Sequence, residues 1–196
     1  MFKRILTLSL LFSSWAQAEE VLPDVANAFV ADEDVIISAQ PSPEDLQTLK
    51  EYGVKGVINS RTDAEMGGLD FNESRWLKTA DMAYQQVAIG VQEPYSEAKL
   101  SAFNDAMVKA REYAGDEPIL LHCRSGHRSS QLYAAWLVKY QGLTPDEALE
   151  KVKPAGWWPM PMEQLLGQKL SVQLADPENE TTTMNPKKDT NQQETK

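Results

Sequence analysis

Short apolar runs of strand length alternate with helix-patterned segments along the middle of this chain, and that alternation restricts it to few architectures. Residues 35–38, 54–59, 84–89 and 119–122 read as strands. Ser42 or Pro43 opens a helix through Leu46, Leu49 and Tyr52, closed by Gly53. Residues 71–82 read as helical. A long amphipathic helix after residues 90–94 presents Leu100, Phe103, Met107, Ala110 and Tyr113 on one face. A helix runs from about 129 to 140, and Thr144-Pro145-Asp146-Glu147 carries the signal that starts another. The stretch after Asn59 that holds Arg61, Asp63, Gly67 and Gly68 reads as a loop. The pattern predicts a three-layer α/β/α fold around a mostly parallel, four- to five-stranded sheet with right-handed crossovers. Ligands of such sheets bind beyond the carboxyl ends of the strands. Loops 59–63, 90–94 and 123–129 all fall on that side.

The ends read differently. Met1-Phe2-Lys3-Arg4, an apolar run over 5–12 and Ala16-Gln17-Ala18 form a secretory signal pattern over residues 1–18. The run is too short for a transmembrane anchor, which needs about 20 apolar residues. Cleavage after Ala18 predicts a secreted or periplasmic protein with no stable membrane anchor. Residues 176–196 are polar and hold almost nothing apolar, so they read as a disordered tail. Residues 19–175 remain as one domain. The 29 acidic residues outnumber the 19 basic ones, giving a net charge of −10. Nucleic acid and anionic lipid need a basic face, so neither is an expected partner.

One cysteine, Cys123, lies in this chain. It excludes an intramolecular disulfide and leaves two readings, a buried bystander or a reactive thiol. Its surroundings favour reactivity. Leu121-His122-Cys123-Arg124-Ser125-Gly126-His127-Arg128-Ser129-Ser130 joins an apolar strand to a helix start through a glycine-containing loop. Successive backbone N–H groups there can converge into an anion-binding nest, reinforced by the helix N-terminus. That field, with Arg124 and Arg128, is expected to lower the thiol pKa. A thiolate beside an anion cradle is a nucleophile for an oxyanion or phosphorylated substrate.

Three segments together resemble a known family. Residues 38–46 (Ser38-Ala39-Gln40-Pro41-Ser42-Pro43-Glu44-Asp45-Leu46), 56–61 (Gly56-Val57-Ile58-Asn59-Ser60-Arg61) and 123–130 are similar to the bacterial beta-lactamase-hydrolase-like, phosphatase-like domain family. His122-Cys123-x-x-Gly126 with Ser130 also resembles the cysteine-dependent protein phosphatase signature. The resemblance implies the compact tyrosine-phosphatase fold and a Cys123 nucleophile. It further implies an anion cradle made by Arg124, Ser125, Gly126, His127, Ser129 and Ser130, with His122 bracing the loop. Ser130 then stands at the hydroxyl position that assists hydrolysis of the intermediate. The phosphatase pattern places its arginine six residues after the cysteine, where this chain has Ser129; Arg128 comes one residue earlier. One step along a helix start turns a side chain by about 100°. The shorter spacing is similar to the active loop of rhodanese-type sulfurtransferases, which carries a persulfide.

The loop therefore leaves three functions in play: phosphate-ester hydrolysis, sulfur transfer through Cys123, and anion or phosphopeptide binding without turnover. Glu93 is the candidate general acid because the phosphatase acid comes from the loop before the long helix; a solvated carboxylate is the other reading. Arg61 and Asp63 either bind substrate or pair with each other. His127 is expected to be exposed, and Trp157 and Trp158 to cover one sheet face with nearby methionines. Two histidines and one cysteine give no metal-ligand constellation, so no metal or organic cofactor is expected. The pattern is silent on oligomeric state.

Overall fold

A computed structural model describes residues 22–156 and 159–170. The signal pattern, the polar tail, Trp157 and Trp158 lie outside them. Five strands, β1 (Phe29–Asp32), β2 (Val35–Ser38), β3 (Gly56–Asn59), β4 (Ala83–Gln86) and β5 (Ile119–His122), form one sheet in the order β1-β2-β5-β3-β4. All pairings are parallel except β1 with β2.

Side chains alternate across a strand, and here each neighbour goes to a different core. Val35, Ile37, Ile58, Ile119 and Leu121 face a cluster with Leu100, Phe103, Met107 and Leu132. These come from α4 (Glu97–Ala114) and α5 (His127–Gln141). Ile36, Val57 and Leu120 face the other way, onto Leu46 and Leu49 of α1 (Pro43–Glu51) and Leu77 of α3 (Glu73–Thr79). The expected three layers follow from that split. α6 (Pro145–Lys151) and α7 (Pro159–Leu166) complete the α5 side. No helix among the described residues is long and apolar enough to cross a membrane.

Local signals set the helix starts. Ser42 accepts from the Asp45 amide while the Asp45 carboxylate accepts from the Ser42 amide, a reciprocal cap with Pro43 at the first turn. The same arrangement at Thr62 and Glu65 produces α2 (Asp63–Met66), a one-turn helix inside the stretch expected to be loop. Three further expectations are corrected. The helix expected over 71–82 narrows to Glu73–Thr79, capped by Asn72. The strand expected over 84–89 stops at Gln86. Tyr113 leaves the core face of α4: it is half-exposed and donates its hydroxyl to Asp81 at 2.7 Å.

The register matters most for the site. Ser38, His122, Asn59 and Gln86 pair in one row across four strands. Apolar strand gives way to polar residues along that row, and Cys123 is the next residue out.

Candidate active site

The loop after β5 wraps the N-terminus of α5. Cys123 lies at its bottom, 1% exposed, and its Sγ accepts the backbone N–H of Arg128 at 3.3 Å. Gly126 takes φ +91°, a left-handed conformation, and a Cβ there would stand 3.3 Å from the Ser38 carbonyl oxygen. Only glycine fits both conditions. The loop carbonyls are held from outside. Asn27 Nδ2 donates to the Ser125 oxygen at 3.3 Å and the Gln40 amide to the Arg124 oxygen at 3.5 Å. The Gly126 oxygen accepts both the Ser130 amide at 3.0 Å and the Ser130 hydroxyl at 2.9 Å. A trans peptide points its C=O and the following N–H in opposite directions. Anchoring those three carbonyls therefore turns the N–H groups of Ser125, Gly126 and His127 away from the anchors.

Arg128, one residue earlier than the phosphatase pattern, has its side chain fixed by two partners. Its Nη1 donates to Glu65 Oε2 at 2.7 Å and to the Ile89 carbonyl at 2.6 Å, and its Nη2 to Glu65 Oε1 at 2.7 Å. Guanidinium has five N–H donors in a fixed fork. Glu65 and Ile89 take three of them, and the Nε hydrogen and the second Nη2 hydrogen are not used by these partners. Glu65 chiefly, and then the charge and hydrogen bonding of the Cys123 sulfur, hold Arg128 more firmly protonated than usual. Reciprocally, the hydrogen bond from Arg128 brings the Glu65 carboxyl down to about 2.

Several residues singled out from sequence stand elsewhere. Ser129, at the phosphatase arginine position, is fully buried and donates its hydroxyl to Ser60 at 3.2 Å. Ser130 is also buried, with its hydroxyl spent on Gly126. Arg124 is exposed at the rim, and His127 is half-buried. Arg61 and Asp63 do not pair with each other. Arg61 is 9% exposed, donates to Gln40 Oε1 at 2.8 Å and lies 3.7 Å from Glu65 Oε1, whereas Asp63 accepts from Gln86 at 2.9 Å. Glu93 sits in a tight turn closed by Gly90 and Glu93, ion-paired to Lys99 Nζ at 2.6 Å. Among the described residues no group of three or more His, Cys, Asp or Glu is arranged to hold a metal.

Sequence reasoning passed over three groups. Glu65 stands three residues after Thr62, and that cap spacing is the one local signal it carries. Glu73 reads as an ordinary acidic first-turn residue, yet it is buried beside His122. Tyr95 follows the Glu93 turn; burial, and secondarily the Cys123 charge, pushes its hydroxyl up to about 12, so it remains a phenol at neutral pH.

The family described as "Beta-lactamase hydrolase-like protein, phosphatase-like domain" matches residues 27–138, which contain every element of this site. The chain belongs to that family. A beta-lactamase hydrolase-like protein of Agrobacterium fabrum is 30% identical over 102 residues, 52% of this chain and 22% of the relative. Two from Xylella fastidiosa strains are 29% identical over 104 residues. The chain thus spans less than a quarter of the length of these curated relatives. Among solved structures, PTPMT1 in complex with PI(5)P superposes with a TM-score of 0.61 at 22% identity, covering 71% of this chain and 92% of that one. A Cys-to-Ser form of Pseudomonas aeruginosa TpbA in complex with pTyr gives 0.53 at 22% identity, covering 81% and 90%. The phosphatase-like domain of this family therefore has the tyrosine-phosphatase fold expected from its motifs.

Two predictions follow from the geometry of the phosphatase-like domain. Restoring the longer spacing with Ser129→Arg forces a guanidinium into the closed space at Ser60, which costs about 3 kcal/mol or more. A urea melt checks it; wild-type stability would show that Ser129 is not sealed. The second concerns Glu65, whose folded pKa is depressed. Its contribution is present above the ordinary carboxylate value of 4.5 and lost as pH falls towards about 2. Wild-type urea midpoints are expected to decline across that window, and Glu65→Gln to flatten the decline by about 1 kcal/mol after solvent screening.

Proposed function

We propose that Cys123 is the nucleophile of a phosphate-ester hydrolase whose oxyanion is held by the 123–130 loop and the open edge of Arg128. The observation that carries this reading is the Arg128 backbone N–H on the buried Cys123 sulfur at a helix start, with the same arginine's guanidinium braced by Glu65. The family and the fold support it without naming a substrate.

The thiolate attacks phosphorus in line, forming an S–P bond as the ester P–O bond breaks. Charge on the equatorial oxygens meets the N–H groups of Ser125, Gly126 and His127 and the Arg128 edge. The departing alkoxide takes a proton from Glu93, which must first release Lys99 and take up that proton from solvent. Water then cleaves the S–P bond, its proton passing to the Glu93 carboxylate, giving phosphate and restoring the thiolate and the acid. Arg124 at the rim attracts the anion. Arg61 and Ser130 support the cradle rather than the substrate. The shorter Cys123–Arg128 spacing favours sulfur transfer as the second reading, with a Cys123 persulfide made from a sulfane donor.

Freshly reduced protein assayed with an aryl phosphate and, separately, with thiosulfate and cyanide separates these readings. Phosphate release lost in Cys123→Ser is the expected result; Cys123-dependent thiocyanate without phosphate release would transfer the assignment to sulfur. Anion binding with neither product would leave a binding module. For the acid, Glu93→Gln is expected to slow alkyl phosphates about 10²-fold or more while sparing aryl phosphates, whose leaving groups need no proton. Equal effects on both would remove Glu93 from that role.

A further inference from the structure

We infer that Glu73 is a positioning residue for the Cys123 loop, acting on the nucleophile through His122 and on Arg128 through Gln40; this rests on the reading of Cys123 as the reacting group. Glu73 is the first residue of α3, where a carboxylate normally sits in water beside the helix N-terminus. Here it is 2% exposed and His122 is fully buried. Glu73 Oε1 accepts from Gln40 Nε2 at 2.7 Å and Oε2 accepts from Asn59 Nδ2 at 3.1 Å. Oε1 also lies 3.3 Å from His122 Nε2, at ion-pair distance but outside hydrogen-bond geometry, so the buried imidazole has the carboxylate as its polar neighbour. These partners come from the ends of β5 and β3 and from the segment just after β2. One carboxylate therefore ties together three parallel strands at the row where the site begins.

Its two arms reach the two chemical groups. His122 precedes Cys123 directly and points to the α3 side, the same side as Leu120. Fixing the imidazole fixes the backbone from which the thiol emerges. The second arm runs through Gln40, whose Oε1 accepts from Arg61 Nη1 at 2.8 Å. Arg61 flanks Glu65, and Glu65 holds Arg128. The Gln40 backbone N–H also donates to the Arg124 carbonyl in the loop. Stability alone does not account for this arrangement, since well-packed apolar residues in place of a buried charged network are often as stable or more so. What apolar packing cannot supply is direction: the Gln40 and Asn59 bonds fix the carboxylate, and its charge beside His122 favours one placement of the residue before Cys123.

Glu73→Gln tests the inference because it keeps the shape while replacing one acceptor by a donor that faces the Gln40 and Asn59 amides. Asp32→Asn is the matched control. It weakens a carboxylate bonded to Tyr133 and Lys151 at the opposite end of the sheet. Glu73→Gln is expected to slow alkylation of Cys123 by iodoacetamide about 10-fold or more, and to lower kcat on an aryl phosphate with KM within about twofold. Asp32→Asn is expected to lower the melting temperature comparably and leave both rates alone. If Glu73→Gln fails to fold, Gln40→Met cuts the second arm at similar volume and is expected to act in the same direction on kcat. Wild-type alkylation and kcat in folded Glu73→Gln, or equal losses in Asp32→Asn, would overturn the inference. Should the wild type release no phosphate while Glu73→Gln still slows alkylation, the hydrolase reading fails and the positioning role stands.

Discussion

Parallel register is the constraint on which the rest of this molecule depends. Because β2, β5, β3 and β4 pair in step, Ser38, His122, Asn59 and Gln86 end on one line. Every group argued to matter hangs from that line or packs on it. Cys123 is one residue beyond His122; Ser60 and Arg61 are just beyond Asn59; Gln40 follows Ser38 by two. A one-residue slip of β5 would send His122 to the opposite face and aim the loop elsewhere. The two apolar clusters, one on each face, hold that register.

Above the line, the short spacing between Cys123 and Arg128 is accommodated by a carboxylate from another element. Six residues after the cysteine the chain turns inward, and Ser129 is sealed against Ser60. At five, Arg128 emerges towards Glu65 and the Ile89 carbonyl, which take the end of its fork and leave the side. α2 is a single helical turn, but it delivers Glu65 to that place. The arginine is thus oriented by the protein's own groups, and in the proposed hydrolase that is the condition under which its contact with the oxyanion would aid reaction most.

The parts of this picture legible in the sequence are those written locally. Ser42-Pro43 with Asp45 announces α1; the apolar run 119–122 followed by Gly126 announces β5 and its loop. β1 was missed because its four residues are partly exposed at a sheet edge, with one buried position among them. α2 was missed although Thr62 and Glu65 stand at cap spacing, since two glycines nearby read as loop. Tyr113 continued the apolar stripe of α4 by spacing, but its partner is Asp81, distant in sequence. Glu65 and Glu73 were illegible as site residues for the same reason: a carboxylate in a first helical turn looks like a cap, and only tertiary packing reveals Arg128 or His122 beside it.

The central claim is that the Cys123 sulfur accepts the group held by the loop. It is tested most directly by acid-quenching the protein within its first turnover of an aryl phosphate and measuring the mass of the peptide containing Cys123. The account predicts a phosphoryl adduct on that sulfur, lost on longer incubation as water completes the cycle. A peptide that stays unmodified while phosphate is released, or that gains sulfur from thiosulfate and never a phosphoryl group, would contradict it.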